Sequence, residues 1–204
     1  MSARDEILAR VRTALDGAVP GSGPVTAPAG SRPADLVGRF AERVADYRAT
    51  VTRCAPDNLA AAVAEALPAG ARVVVPPGLP DDVLARVGGV VVDDGLGPLD
   101  LDQVDAVVTA CRVAIAETGT IVLDHEPDQG RRAITLVPDR HVCVVRAAQV
   151  VPDVPDAVAV LDPLRPLTWI SGPSATSDIE LDRVEGVHGP RVLHVVVVEE
   201  PARR

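Results

Sequence analysis

The chain has 204 residues, a hydrophobic content of 47% and a formal net charge of −9 at pH 7. This length suits one domain with a substantial core, and the acidic balance argues against general nucleic-acid binding, which requires a basic face for the phosphate backbone. All basic residues apart from the histidines are Arg, so the absence of Lys excludes Schiff-base catalysis.

Residues 1–50 are expected to form an N-terminal helical extension with a linker. Ser2 and Asp5 match a capping pair, and a first helix follows whose apolar side chains recur on one face until Gly17. Residues 19–33 are rich in Pro, Gly, Ser and Ala, which is typical of a linker. A second amphipathic helix contains Phe40 and Val44.

Residues 51–204 are predicted to form the main domain. Short apolar runs at 51–54, 72–75 and 90–92 alternate with helical patterns at 58–67 and 81–87, which favours a parallel α/β sheet. Beyond residue 106 the strands leave little room for helices, which indicates antiparallel or mixed pairing. The later strands are predicted at 106–110, 113–116, 120–123, 134–137, 141–145, 168–171 and 192–198, with a short helix at 154–161. The expected fold is therefore α/β, with a mixed sheet and flanking helices.

No apolar stretch reaches the roughly 18 residues that span a bilayer, and the N-terminal residues lack a signal-peptide pattern, so we expect a cytoplasmic protein. Cys54, Cys111 and Cys143 are far apart and contain no Cys-x-x-Cys, so neither a zinc ribbon nor an iron–sulfur ligand run is present. The histidines also lack metal-ligand spacing. We expect no metal site and no cofactor in this chain.

A carboxylate motif lies between two apolar runs, where residues 115–121 read Ile-Ala-Glu-Thr-Gly-Thr-Ile. Gly119 can adopt a positive φ and turn the chain. Glu117 at the strand end, beside Thr118 and Thr120, could bind a substrate hydroxyl or act as a base or nucleophile. Alternatively, its carboxylate accepts hydrogen bonds from the amides of the turn.

A second motif, Ser171-Gly172-Pro173-Ser174, follows a predicted strand and precedes Asp178. Its small residues and hydroxyls favour an anion-binding turn for a phosphate or carboxylate, although Ser174 could equally cap a helix. The sequence is neither a Walker loop nor a dinucleotide-binding fingerprint.

Two further candidates lie on loops. His188 lies in the run Gly186-Val187-His188-Gly189. It could donate to an anionic ligand or act as an acid–base group near neutral pH, or it could hydrogen-bond a neighbouring loop. Arg131 and Arg132 follow Gly130, and a guanidinium there could clamp a carboxylate in bidentate geometry. Alternatively, it faces solvent at a strand start, which is expected for Arg132 more than for Arg131. We expect Glu117, Ser171, Ser174 and His188 to converge, because ligand crevices in open α/β sheets form outside the carboxyl ends of the strands.

Together these motifs resemble the LUD-domain family, in particular its lactate-utilisation protein C group. The resemblance is carried by AETGT at 116–120 with Leu123, GR at 130–131 with LVP at 136–138, SGPSATSDIE at 171–180 and GVHGPR at 186–191. It implies that residues 51–204 form a LUD domain with a fold like that of the NagB/RpiA/CoA-transferase superfamily. It also implies a ligand site at the quoted residues.

The resemblance implies an accessory or ligand-binding subunit of a cytosolic complex that oxidises L-lactate to pyruvate. Iron–sulfur clusters would then reside on partner subunits, because this chain has no cluster ligands, flavin fingerprint or dinucleotide loop. The alternative is a stand-alone transferase or isomerase that uses Glu117 on a phosphorylated or CoA-like molecule. A third possibility is a structural partner that docks through its first helix. Whether the chain is itself an enzyme stays open at this point.

Overall fold

Valine-rich strands dominate the computed structural model, which describes residues 2–18, 32–176, 184–185 and 189–199. The strands are β1 (Thr50–Cys54), β2 (Val73–Val75), β3 (Val90–Val92), β4 (Ala106–Thr109), β5 (Val113–Ile115), β6 (Thr120–Leu123), β7 (Arg140–Arg146), β8 (Val150–Val151), β9 (Thr168–Ile170), β10 (Ala175–Thr176), β11 (Val184–Glu185) and β12 (Val192–Val198). The α-helices are α1 (Ala3–Leu15), α2 (Leu36–Asp46), α3 (Leu59–Glu65), α4 (Asp81–Leu84), α5 (Pro98–Leu101) and α6 (Val154–Val160).

The main sheet contains six parallel strands in the order β1-β12-β7-β4-β2-β3. Its longest pairing joins β7 and β12 from Val192 opposite Arg140 to Val198 opposite Arg146. The side chains of β12 from Val195 to Val198 are buried on both faces of the sheet. Continuous runs of β-branched residues suit such a doubly covered parallel sheet.

A second sheet of four strands, in the order β8-β5-β6-β9, stacks on one face of the main sheet. Strand β6 pairs antiparallel with β5 and β9, whereas β8 runs parallel to β5. A short antiparallel pair joins β10 to β11. The α/β fold class with mixed pairing is confirmed, and the antiparallel pairs lie in these sheets beside the parallel one.

Helices complete the layers on both sides. Helices α3 and α4 cover one face of the main sheet through Leu59, Val63 and Val83. Helix α2 covers part of the other face, next to the second sheet, and its Phe40 and Val44 are fully buried. Helix α6 covers the outer face of the second sheet. Helix α2 therefore packs into the core built by residues 51 onwards, although the sequence assigned it to the extension.

The first helix forms as predicted but contributes no buried residue. Ser2 and Asp5 make a reciprocal capping box, in which the Ser2 hydroxyl accepts from the Asp5 amide at 3.2 Å. Ile7 and Leu15 on its apolar face are 61% and 62% exposed. Most of the predicted linker, residues 19–31, lies outside the described part of the chain. No helix among the described residues is long and apolar enough to cross a membrane.

The strand predicted at 134–137 is wrong. Residues Arg132–Thr135 instead form a 3₁₀ helix, in which the Thr135 hydroxyl donates to the Arg132 carbonyl at 3.0 Å. This local hydrogen bond competes with strand pairing, as Thr side chains commonly do. Ile134 is fully buried in the small cluster with Val74 and Leu101. Its apolar character therefore reflects packing under the sheet edge rather than a strand.

Candidate functional site

The two polar motifs meet at one edge of the second sheet. Because β6 and β9 pair antiparallel with Ile121 opposite Ile170, the start of β6 lies beside the end of β9. The Thr120 hydroxyl is 2.8 Å from the Ser171 hydroxyl and 2.7 Å from that of Thr118. A chain of three hydroxyls therefore joins motifs that are 51 residues apart in sequence.

Both motifs also pack closely against helix α2 and its C-cap residue, Tyr47. Gly119 has a φ of 61°, as expected, and a Cβ there would lie 2.7 Å from the backbone of Arg43 and Val44. Gly172 has a φ of 86°, and a Cβ added there would lie 2.7 Å from the Cβ of Tyr47. Glycine at these positions permits both the turn and the close approach.

Glu117 faces helix α2. One of its carboxylate oxygens lies 3.4 Å from Nη2 of Arg39 and 3.6 Å from Nη2 of Arg43. Its backbone amide donates to the Pro152 carbonyl at 3.1 Å. The described contacts thus place the Glu117 side chain in an ion-pair cluster at the end of β5, where it joins the second sheet to α2.

A cavity of about 190 Å³ opens beside the second motif. Four predicted ligand-binding residues line it: Ser171, Gly172, Ser174 and Gly189. The Ser174 amide donates to the Pro190 carbonyl at 2.8 Å, which holds the two loops together. The other lining residues are Arg132, Thr135, Leu136, His141, Thr168, Trp169, Ile170, Pro173, Pro190 and Leu193. The walls thus combine apolar surface with hydroxyls and one guanidinium.

The adjacent residues Arg131 and Arg132 point to different surroundings. Arg131 makes a bidentate pair with Asp93, at 2.7 and 2.8 Å, and also donates to the Leu96 carbonyl. This hydrogen bonding lowers the pKa of Asp93 despite its burial. Arg132 lines the cavity, and its guanidinium makes no hydrogen bond or ion pair with the described residues. Arg131 therefore binds the carboxylate of Asp93 within the protein, whereas Arg132 is the cation that a ligand in the cavity can reach.

His141 forms part of the cavity wall from inside the core. It is 1% exposed, and its Nε2 is 2.8 Å from the Thr109 hydroxyl. Sequence reasoning set His141 and Arg132 aside, because the first lacks metal-ligand spacing and the second was read as solvent-facing. The sequence did carry a signal for His141, because it begins a run of valines and a cysteine that was predicted to be a strand. A polar side chain in such a buried strand is unusual unless its polar atoms are hydrogen-bonded.

The convergence expected for Glu117, Ser171, Ser174 and His188 has a mixed outcome. Ser171 and Ser174 share the cavity, but Glu117 does not line it. Asp178, Gly186 and His188 lie outside the described residues. The cavity borders the amino ends of β7 and β12, through His141 and Leu193, instead of the carboxyl ends that we expected. Among the described residues, no group of three or more His, Cys, Asp or Glu side chains could hold a metal ion.

Comparison with known proteins relates the whole chain to one family. The model of the LUD domain matches residues 99–198. The chain is 48% identical over 202 residues to Lactate utilization protein C of Deinococcus radiodurans, covering 96% of this chain and 95% of that protein. It is 34% identical over 107 residues to Lactate utilization protein C of Bacillus licheniformis, covering 48% of this chain and 44% of that one.

A solved structure shows the same fold. The crystal structure of a DUF162 family protein from Deinococcus radiodurans matches with a TM-score of 0.69 and 43% sequence identity. The match covers 80% of this chain and 96% of that one.

Proposed function

This chain belongs to the LUD-domain family, and from that premise we propose that it is a cytoplasmic, ligand-binding component of a lactate-utilization system. Its relatives carry the name Lactate utilization protein C. The ligand that we propose is a small 2-hydroxy or 2-oxo carboxylate such as lactate or pyruvate. It would bind in the cavity beneath Ser171 and Ser174.

The observation that carries this proposal is the guanidinium of Arg132 at a small cavity rich in hydroxyls. An Arg side chain recognises a carboxylate through parallel N–H bonds in bidentate geometry. The hydroxyls of Thr168 and Ser171 can bond the oxygen at the second carbon of the ligand, while Trp169 and Leu193 offer apolar contact to its methyl group. A volume of about 190 Å³ suits a molecule below drug size.

Electron transfer in this proposal belongs to partner subunits. The three cysteines of the chain have no iron–sulfur ligand spacing, and the sequence contains no dinucleotide fingerprint. Lactate oxidation releases two electrons that need an acceptor, so we assign that role to iron–sulfur subunits with which this chain would assemble. The chain would contribute a carboxylate site to the complex.

The alternative of a transferase or isomerase acting through Glu117 draws less support from the site. Such a mechanism needs the Glu117 carboxylate beside the bound substrate. Its described partners are instead Arg39 and Arg43 of helix α2, and it does not line the cavity. We therefore favour ligand binding over catalysis by this residue.

Calorimetric titration of the purified chain with L-lactate and with pyruvate tests the proposal. We expect millimolar or tighter binding that the Arg132→Gln variant weakens about 10- to 100-fold, since a hydrogen bond to a charged group contributes about 1.5–3 kcal/mol. Arg12→Gln, on the exposed helix α1, is the matched control and should bind like the wild type. Equal affinities in the wild type and Arg132→Gln, or no binding of either acid, would contradict it.

A further inference from the structure

Two cysteines belong to the same largely aliphatic core cluster. Cys143 belongs to β7, and its Cα partner on β4 is Thr109. Cys111 follows Thr109 by two residues. Both cysteines are buried, at 0% and 1% exposure, and both belong to the cluster between the two sheets. Neighbouring thiols in a valine core are a feature that the carboxylate site does not use.

The sulfur of Cys143 is surrounded by polar groups. It lies 3.7 Å from the Ala110 carbonyl oxygen and 3.9 Å from the Thr109 hydroxyl. Cys111 directly follows Ala110 in the chain and belongs to the same buried cluster, which makes the two thiols neighbours. His141, two residues earlier on the same strand, shares the Thr109 hydroxyl with Cys143, since its Nε2 lies 2.8 Å from that hydroxyl. The two sulfurs therefore share one pocket of polar contacts, with Cys111 as the outer member.

A second cavity, of about 350 Å³, gives access to the outer thiol. It is lined by Gly78, Cys111 and Gln149, which follow β2, β4 and β7, so it lies at the carboxyl ends of these strands. Within the main sheet, the strand that follows β2 is its neighbour β3 on one side, whereas the next main-sheet strand after β4 is its neighbour β7 on the opposite side. Crevices at such a change of direction are where open α/β sheets admit small molecules.

Gln149 contacts Cys111 at the wall of this cavity. The Cys111 sulfur is 3.7 Å from Oε1 of Gln149, and Nε2 of the same Gln149 donates to the Cys111 carbonyl at 2.6 Å. A disulfide between the two residues Cys111 and Cys143 requires their sulfurs to approach to a bonding distance of about 2.0 Å.

We propose that Cys111 and Cys143 are a modification site, which a peroxide entering the cavity at the carboxyl ends of the strands oxidises to an intrachain disulfide. The Cys111 thiolate attacks one peroxide oxygen, the O–O bond breaks, and the hydroxide released takes up the proton of the pair as water. The Cys143 thiolate then attacks the sulfur of the Cys111 sulfenic acid, and hydroxide leaves as the S–S bond forms. The two sulfurs together lose two electrons as the S–S bond forms, and these electrons reduce the peroxide to one water and one hydroxide.

The pKa values of the two thiols shift in opposite directions. The hydrogen bond from Cys111, aided by His141 and Thr109, lowers the pKa of Cys143 to about 6 against the effect of burial. The same hydrogen bond, together with burial, raises the pKa of Cys111 well above its usual value. These opposite shifts leave one proton on the pair near neutral pH, held by Cys111, so that proton must pass to Cys143 before the outer thiolate attacks the peroxide.

Thiol counting tests the proposal on the full chain. The protein is treated with hydrogen peroxide, unfolded, and alkylated with N-ethylmaleimide for intact mass measurement. Of the three cysteines, the wild type should retain one alkylated thiol, and the partly exposed Cys54 is that residue. The matched control Cys54→Ser should lose both remaining thiols, whereas Cys111→Ala and Cys143→Ala should each form no intrachain disulfide. Peptide mapping of the oxidised wild type should show residues 111 and 143 cross-linked, a result that depends on no variant.

Two results would overturn the proposal. One is a wild type that keeps Cys111 and Cys143 fully alkylable under conditions that oxidise Cys54. The other is a disulfide that includes Cys54 or joins two chains while residues 111 and 143 stay reduced.

Discussion

Gly119 occupies the point where the loop after β5 comes closest to helix α2. A side chain there would meet two penalties at once, because the φ of 61° disfavours any L-residue and the Cβ would lie 2.7 Å from the backbone of Arg43. Gly70 has a similar φ of 73°, but open space surrounds its Cβ position. The two glycines therefore separate the effect of backbone conformation from that of packing.

We predict that Gly119→Ala destabilises the fold by about 3 kcal/mol, from a backbone cost of about 1–2 kcal/mol plus the cost of overpacking. Gly70→Ala should show the backbone cost alone. Urea unfolding followed by circular dichroism measures both free energies of unfolding. Equal losses in the two variants would show that the loop does not press on α2.

Residues differed in how far their roles could be predicted from sequence. The positive φ of Gly119 was predictable, because it follows from the local turn between two strands. The different roles of Arg131 and Arg132 were not predictable, because Arg131 pairs with Asp93, which lies 38 residues earlier in the chain. Only the packed fold decides which of two adjacent guanidiniums meets that carboxylate. For the same reason His141 was missed, as its cavity is formed by loops far away in sequence.

Periodicity identified the N-terminal helices α1 and α2 equally well, but it did not reveal their different environments. Helix α1 has no buried residue, whereas α2 buries Phe40 and Val44 against the second sheet. The strands between residues 106 and 123 were predictable from apolar runs, but their division between the two sheets was not. The three residues between β4 and β5 carry the chain from one sheet to the other. This passage from one sheet to the other depends on how the layers pack, which leaves no local pattern in the sequence.

Removing helix α1 should leave the stability of the domain nearly unchanged. A chain that starts after residue 18 loses no buried side chain, so we expect its thermal midpoint to match that of the full chain. Phe40→Ala in helix α2 is the contrasting variant and should cost about 3–5 kcal/mol, because Phe40 is fully buried. Differential scanning calorimetry compares all three proteins. A large loss of stability on truncation would mean that α1 packs on the domain in solution.

Across the whole molecule, β7 connects two separate sites. His141 near its amino end lines the cavity of Arg132 and Ser171, and Gln149 beyond its carboxyl end lines the cavity of Cys111. The α/β class and the family were accessible from sequence, because alternating strands and helices and several ordered motifs survive as local patterns. The placement of the ligand cavity at the amino ends of β7 and β12 was not accessible, since it depends on how the second sheet stacks on the first.

At this scale the chain should support lactate oxidation only together with partners. With L-lactate and an artificial electron acceptor, we expect no reduction by the purified chain, because its cysteines lack cluster spacing and it has no dinucleotide fingerprint. Activity should appear when iron–sulfur subunits of a lactate-utilization system are added, and the rate of acceptor reduction measures it.

Three variants then locate the contribution of this chain to the reconstituted activity. Arg132→Gln should raise the apparent KM for lactate about 10- to 100-fold, which follows from the loss of a charge-assisted hydrogen bond to the carboxylate. Arg12→Gln on the exposed helix α1 should change nothing. Glu117→Gln should preserve kcat if the residue only pairs with helix α2, whereas a collapse of kcat would show that Glu117 takes part in catalysis within the complex. Lactate oxidation by the purified chain alone would show that the electron acceptor lies within it and that the accessory role is wrong.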